Sequence, residues 1–140
     1  MYVQFEVDGV PPKKDGANSM WRKSSEIPRL KALRQAAFTS LQGQSIKDQK
    51  LELVLRVHAV PGAGDLDNFI TGICDGLMSA HPRTPINDHE WSDVSTELPP
   101  RRAVAFTDDS CVSRIVAERL PTEDSPRYEV ELRGMNGAND

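Results

Sequence analysis

The chain has 140 residues, of which 38% are hydrophobic and 27% are charged, and its formal net charge is −4. These values are typical of one globular domain with its own core, and they argue against a disordered chain. No apolar stretch approaches the roughly 20 residues of a spanning helix, so we expect no membrane insertion. The acidic balance argues against a protein that coats DNA non-specifically.

The N-terminal residues lack a basic region followed by a long apolar run, so we expect no secretory signal and a cytoplasmic location. Two cysteines are present, Cys74 and Cys111, each within an apolar pattern. Two cysteines do not make a disulfide framework, and a zinc site built from cysteine alone needs four ligands. Buried, reduced thiols are therefore the expected state.

Alternation of apolar and polar residues predicts a first strand at residues 2–7, and a Pro- and Gly-rich irregular loop follows at 11–24. A helix is predicted from Pro28 to Leu41, with Arg34 off its apolar stripe. That stripe consists of Leu30, Leu33, Ala37 and Leu41.

Residues 51–60 form the clearest predicted strand, with Leu51, Leu53, Leu55 and Val57 on one face. The second helix then begins near Leu66 and carries apolar residues at three-and-four spacing. Gly72 and Gly76 lie on another face of this helix. Small residues there predict a close approach by a neighbouring segment.

Residues 79–107 are the least regular part, and we interpret them as a loop-rich insertion. Trp91 is expected to anchor this insertion to the body of the protein, and an exposed stacking platform for an unpaired base is the alternative. Two further strands are predicted at 111–120 and 128–133. The element order predicts a single α+β domain over residues 1–140, with a small mixed or antiparallel sheet of about four strands and two helices packed on it.

Two pairs of aspartates lie at the starts of elements: Asp65 and Asp67 before the second helix, and Asp108 and Asp109 before the third strand. Carboxylates suit hard cations such as magnesium, which assist hydrolysis of phosphate esters. Helix capping or a polar turn explains either pair alone, but the joint pattern is more specific. If strand 111–120 pairs beside strand 51–60, it starts near the edge that leads to Asp65. Neighbours on a strand point to opposite faces, so at most one of Asp108 and Asp109 joins a common site.

In these residues the chain resembles the RusA family of Holliday junction resolvases. The likeness covers most of the chain in element order and runs through Val10-Pro11-Pro12, Asp65-Leu66-Asp67-Asn68, Asp75-Gly76-Leu77 and Asp108-Asp109. The resemblance implies a homodimeric, magnesium-dependent endonuclease that resolves four-way DNA junctions by paired nicks in recombination and repair. It also implies metal binding and catalysis by Asp65, Asp67 and Asp109, with Asp108 and Asp75 as weaker candidates. Manganese is expected to substitute for magnesium.

Basic residues are concentrated in the early loop and the first helix, where we expect contacts with DNA phosphates. They are Lys13, Lys14, Arg22, Lys23, Arg29 and Lys31. An ordinary solvated surface is the alternative explanation. Two other functions stay open. One is a catalytically silent junction-binding dimer, suggested by Thr71, where many family members carry a lysine. The other is a metal-dependent hydrolase of small phosphate esters, suggested by the acidic balance.

Overall fold

The computed structural model describes residues 2–14, 19–60, 62–94, 97–122 and 124–135, and within them a four-stranded sheet carries two helices. This confirms the predicted α+β fold. None of the helices in the described ranges is long and apolar enough to cross a membrane. The elements in chain order are β1 (Tyr2–Asp8), α1 (Ile27–Ser40), β2 (Leu51–His58), α2 (Leu66–Leu77), a 3₁₀ turn (Asp109–Cys111), β3 (Val112–Leu120) and β4 (Arg127–Gly134).

The sheet is mixed and has the strand order β1-β4-β2-β3. β4 is antiparallel to both β1 and β2, whereas β2 and β3 are parallel. Parallel neighbours need a crossover, which α2 provides. As a result, β3 begins beside Leu51 at the start of β2, while Asp65 follows the end of β2. The expectation that Asp65 and the start of β3 lie at one edge of the sheet is therefore wrong, because the pairing is parallel.

The helices cover one face of the sheet, and that face forms the core. Leu51, Leu53, Leu55 and Val57 of β2 are fully buried, as the alternation predicted. They pack with Tyr128, Val130 and Leu132 of β4 and with residues of both helices that include Leu33, Phe69 and Ile73. Burial of this apolar surface is the main force that holds the helices to the sheet.

The opposite face of the sheet carries a network of charged residues around Glu131. The Glu131 carboxylate accepts hydrogen bonds from the Tyr2 hydroxyl at 2.8 Å and from Arg133 at 2.9 Å. Arg56 lies 3.7 Å from the same carboxylate. The Tyr2 hydrogen bond is the main cause that lowers the pKa of Glu131, with Arg133 and Arg56 adding to it against the effect of burial. The network thus stabilises the negative charge of the Glu131 side chain, which is only 5% exposed.

Arg34 is buried rather than off the apolar stripe, which corrects the sequence expectation. It lies with Ile27, Leu30 and Ala37 on the buried face of α1, because residues 27, 30, 34 and 37 follow the three-and-four spacing. Its guanidinium stacks over the ring of Trp21 at 5.0 Å. Burial lowers the pKa of Arg34 to about 10.

The Arg34 guanidinium donates hydrogen bonds to four backbone carbonyl oxygens. Two of them, in Gly76 and Met78, lie at the C-terminal end of α2, each at 2.8 Å. The other two, in Pro99 and Arg102, belong to the insertion and lie at 3.0 and 2.6 Å. One side chain therefore joins α1, the end of α2 and the insertion.

Trp91 anchors the insertion to the early loop, as the sequence predicted. Its side chain is 4% exposed, and its indole N–H donates to the carbonyl of Trp21 at 2.9 Å. The two rings lie 5.6 Å apart. A second small core forms here from Met20, Trp21, Ile27, Leu30, Ala80 and Trp91. Because Trp91 is buried, it does not provide an exposed stacking platform.

Candidate functional site

An open cleft of about 1110 Å³ lies between the early loop and the insertion. Lys14, Arg22 and Lys23 line it from the early loop, and Asp75 lines it from α2. The insertion contributes residues 81–85. Three of the predicted DNA-binding residues therefore share a cleft with one of the candidate acids.

Close packing of the early loop against α2 positions Lys14. A Cβ added to Gly72 would lie 2.1 Å from the carbonyl oxygen of Pro12, so this approach requires glycine. The backbone N–H of Lys14 donates to the carbonyl of Asn68 at 3.2 Å. The amine of Lys14 lies 3.5 Å from the carboxylate of Asp75. The predicted close approach at the small-residue face is thus confirmed, and it brings a cation to the acid of α2.

Asp75 and Asp109 interact electrostatically at the C-terminal half of α2. Burial is the main cause that raises the pKa of Asp75, the charge of Asp109 adds to it, and Lys14 opposes both. Burial also raises the pKa of Cys74 to about 12, with further contributions from Asp109, Asp75 and Cys111. Cys74 therefore stays a protonated core thiol at neutral pH, in agreement with the sequence interpretation.

The two aspartates of the second pair have different environments. Asp108 precedes the 3₁₀ turn, and its carboxylate accepts the backbone N–H of Ser110 at 2.9 Å. The turn role suggested for this pair therefore falls to Asp108. Asp109 is exposed, and its charge acts on Cys74 and Asp75. Of the pair, Asp109 is the one whose charge raises the pKa of these two residues of α2.

The first pair lies at the other end of α2. Asp65 occupies the N-cap position, but its side chain makes no capping hydrogen bond. Asp67 lies in the first turn, and its carboxylate accepts the backbone N–H of Asn68 at 3.1 Å. Both residues are exposed. Helix capping, the alternative role for this pair, does not occupy the carboxylate of Asp65.

The described part of the chain contains no group of three or more His, Cys, Asp or Glu residues arranged to hold a metal ion. Asp65, Asp67 and Asp109 therefore do not form a ready-made cage of three carboxylates. Magnesium is usually bound through one or two carboxylates, with water and substrate phosphate completing the octahedron. Asp65 and Asp67 at one end of α2, and Asp109 near the other end, each offer exposed carboxylate oxygens for that mode of binding, but not for one shared ion.

The other predicted basic residues are not among those that line the cleft. Lys13 is half-buried, and its backbone N–H donates to the carboxylate of Glu26 at 2.9 Å. Arg29 pairs with the same buried Glu26 at 3.1 Å. Lys31 pairs with Asp93 at 2.7 Å. Of the six predicted basic residues, three therefore line the cleft and the other three lie outside it.

Two further cationic or titratable residues of the cleft were not among the predicted site residues. Arg83 and His81 reach it from the insertion, and both are exposed. The segment Pro82-Arg83-Thr84-Pro85 carried the available signal, since it is a turn with one basic residue between two prolines. The insertion thus contributes to the candidate site rather than only enlarging a loop.

No protein-family model matches the chain, and no curated protein matches it significantly. The resemblance to the RusA family therefore stays a prediction.

Proposed function

We propose that the chain is a magnesium-dependent endonuclease of branched DNA, which acts as a homodimer and resolves four-way junctions by paired phosphodiester hydrolysis. The observation that supports this best is that Lys14, Arg22 and Lys23 line the same cleft as Asp75. The charge of Asp109 also acts on Asp75 and raises its pKa. Cations that bind a DNA backbone are useful to a nuclease only beside its acids. A basic surface turned away from the acids would instead have favoured a hydrolase of small phosphate esters.

The cleft residues have the chemistry needed to bind a phosphate backbone. Lys14, Arg22, Lys23 and Arg83 supply ammonium and guanidinium donors, which contact phosphate oxygens without reading sequence. The formal net charge of −4 makes this a local attraction rather than a property of the whole surface. Such binding suits a substrate recognised by its branched shape.

Because Asp65 and Asp67 lie at the opposite end of α2 from Asp109, one ion would be held either by Asp65 and Asp67 or by Asp109, with water and a DNA phosphate as further ligands. Manganese would substitute for magnesium. When bound, the ion would lower the pKa of an attacking water and stabilise charge on the scissile phosphate. Asp75 would act as a positioning residue, because its carboxylate holds the amine of Lys14 beside α2. Lys14 would then orient a phosphate of the bound strand.

The first test is cleavage of a synthetic four-way junction in the presence of Mg²⁺. We expect Asp67→Asn and Asp109→Asn each to lower the cleavage rate at least about 100-fold, which corresponds to ~2.7 kcal/mol of lost transition-state stabilisation. Asp88→Asn is the matched control, since Asp88 is exposed and does not line the cleft. Native-like cleavage by both acid variants would defeat the proposal.

A second candidate function, junction binding without catalysis, is favoured by one specific contact. Thr71 is neutral where many members of the family that the chain resembles carry a lysine, and its hydroxyl donates to the carbonyl of Asp67 at 3.1 Å, so this position supplies no cation to a substrate. A silent binder would retain junction affinity yet leave the DNA intact with either Mg²⁺ or Mn²⁺. Direct measurement of both binding and cleavage therefore separates the two functions.

A further inference from the structure

β3 lies at an edge of the sheet and carries apolar side chains that are open to solvent. β2 pairs with one side of it, and no strand of the described ranges pairs with the other. Ile115 is 43% exposed and Val116 is 42% exposed. Because neighbouring residues on a strand point to opposite faces, both faces of this edge are apolar at its centre. An unpaired edge of this kind is a template for pairing with another chain.

The charges on β3 select one way for the strand to pair with a second copy of itself. Antiparallel pairing about a two-fold axis perpendicular to the sheet keeps each side chain on its own face, so the axis must lie midway between two copies of one residue. Centring the axis on Val116 places Arg114 directly opposite Glu118 of the second copy. Centring it on Ile115 or Ala117 places Arg114 opposite an apolar residue instead.

The Val116-centred register is complementary at every central position. Val116 meets Val116 across the axis, and Ile115 meets Ala117 on the other face. Two Arg114–Glu118 pairs flank this apolar centre, and opposite charges at directly facing positions stabilise a strand pair. Within the chain Arg114 pairs with Glu52 at 3.0 Å and Glu118 pairs with Arg56 at 3.2 Å, yet their side chains remain 64% and 54% exposed, so each can also contact a second chain.

The other edge of the sheet offers no such match. β1 has the sequence YVQFEVD, which includes acidic residues and no basic one. Pairing two copies of β1 would therefore bring no opposite charges together, and Glu6 and Asp8 would add repulsion. The self-complementary edge is specific to β3.

We infer that two copies of the chain associate through β3, antiparallel about Val116, so that their sheets join into one continuous sheet. This inference deepens the homodimer of the proposed function and depends on it for its biological meaning. The starts of the two β3 strands would lie roughly 26 Å apart along the strand direction, from about 3.3 Å per residue. Each start follows an Asp109, so the pairing would present two acid sites in a two-fold arrangement.

A charge-swap experiment tests this register in the absence of DNA and metal. Molar mass is measured by light scattering on a sizing column for the native chain and the variants. We expect a dimer for the native chain, a monomer for Arg114→Glu and for Glu118→Arg, and a restored dimer for the double variant. Val60→Lys is the control, since Val60 is 53% exposed but lies outside β3, and it should stay dimeric.

A second variant keeps the test decisive if the charge swap disturbs folding. Val116→Cys should form an intermolecular disulfide under mild oxidation, because the two residues face each other across the axis, whereas Val60→Cys should not. A native monomer, or a dimer that survives both single charge reversals, would overturn the inference. Molar mass is measured without DNA cleavage, so the two proposals can fail separately. A native monomer would overturn the dimer, whereas a dimer that does not cleave DNA would overturn the nuclease.

Discussion

At the level of single residues, Arg34 shows how a buried charge can organise several segments. Its exposure is 1%, and within the described residues its guanidinium has backbone carbonyls rather than a carboxylate as partners. Carbonyl oxygens at the end of a helix carry partial negative charge, so they are suitable partners for a cation. Arg34 thereby fixes the end of α2 and the insertion, both of which contribute to the cleft.

We predict that Arg34→Met lowers the free energy of unfolding by at least about 3 kcal/mol, because each buried carbonyl left without a donor costs ~1–3 kcal/mol. Urea unfolding followed by tryptophan fluorescence measures this change. Arg22→Met makes the same substitution at an exposed position and should stay within about 0.5 kcal/mol of the native chain. Equal losses for both variants would show that the carbonyl contacts contribute little.

Residue patterns predicted some of these roles and could not predict others. The fully buried face of β2 followed from strict alternation. The charge of Arg34 predicted exposure, although its helical spacing places it with the buried residues of α1. The choice of Asp109 over Asp108 depends on the Ser110 hydrogen bond. Such a contact forms between neighbouring residues only once the turn adopts its conformation, so composition does not reveal it.

At the level of elements, the contact between the early loop and α2 brings Lys14 to Asp75. Gly72 allows the backbone of Pro12 and Lys13 to approach the helix closely. Glycine is an unfavourable helix residue by about 1 kcal/mol relative to alanine. The helix tolerates this loss because the crossing segment occupies the space of a side chain.

We predict that Gly72→Ala destabilises the protein and weakens DNA binding, although the same change in an open helix would stabilise it by about 1 kcal/mol. The added methyl group would displace Pro12 and Lys13, and Lys14 would move from Asp75. Thermal unfolding and junction affinity report the two effects. Thr71→Ala, at an exposed neighbour on α2, controls for helix propensity, and a stabilised Gly72→Ala chain would contradict the packing account.

The charged face of the sheet predicts a specific pH dependence. The pKa of Glu131 is lowered in the folded protein, chiefly by the Tyr2 hydrogen bond. Glu131 therefore contributes stability above its unfolded pKa near 4.5, and this contribution is lost as pH falls through the lower folded pKa. The stability difference between the native chain and Glu131→Gln should be roughly 1.5–3 kcal/mol at pH 7 and should shrink below pH 4.5. A difference independent of pH between 7 and 3 would contradict this assignment.

At the level of the whole molecule, the topology determines where the acids lie. Element order predicted the α+β class and a mixed or antiparallel sheet of about four strands, but it did not fix whether β2 and β3 pair in parallel. Because β2 and β3 pair in parallel, β3 starts at the end of the sheet where β2 starts, whereas the Asp65 loop follows the end of β2. The return path of α2 then brought Asp75, rather than Asp65, within range of the charge of Asp109. Long-range pairing of this kind depends on the packed sheet, and local patterns do not encode it.

The cleft also predicts how affinity changes with salt. Binding through Lys14, Arg22, Lys23 and Arg83 should weaken steeply as salt rises, because binding releases counterions from the phosphates and this release becomes less favourable at higher salt. Fluorescence anisotropy of a labelled junction, at several salt concentrations, measures the slope. Arg22→Gln should make the slope shallower by about one unit, whereas Arg101→Gln, outside the residues that line the cleft, should not change it. A flat salt response would exclude this phosphate contact surface.

The most direct measurement of the central claim is a crystal structure of the chain with a four-way junction and Mn²⁺, which is located by its anomalous scattering. We predict a manganese ion bound by a DNA phosphate and by carboxylate oxygens of Asp65, Asp67 or Asp109 at about 2.1 Å, with the strand backbone in the cleft beside Lys14. DNA bound elsewhere on the protein, or a manganese ion that contacts none of these three aspartates, would contradict the account.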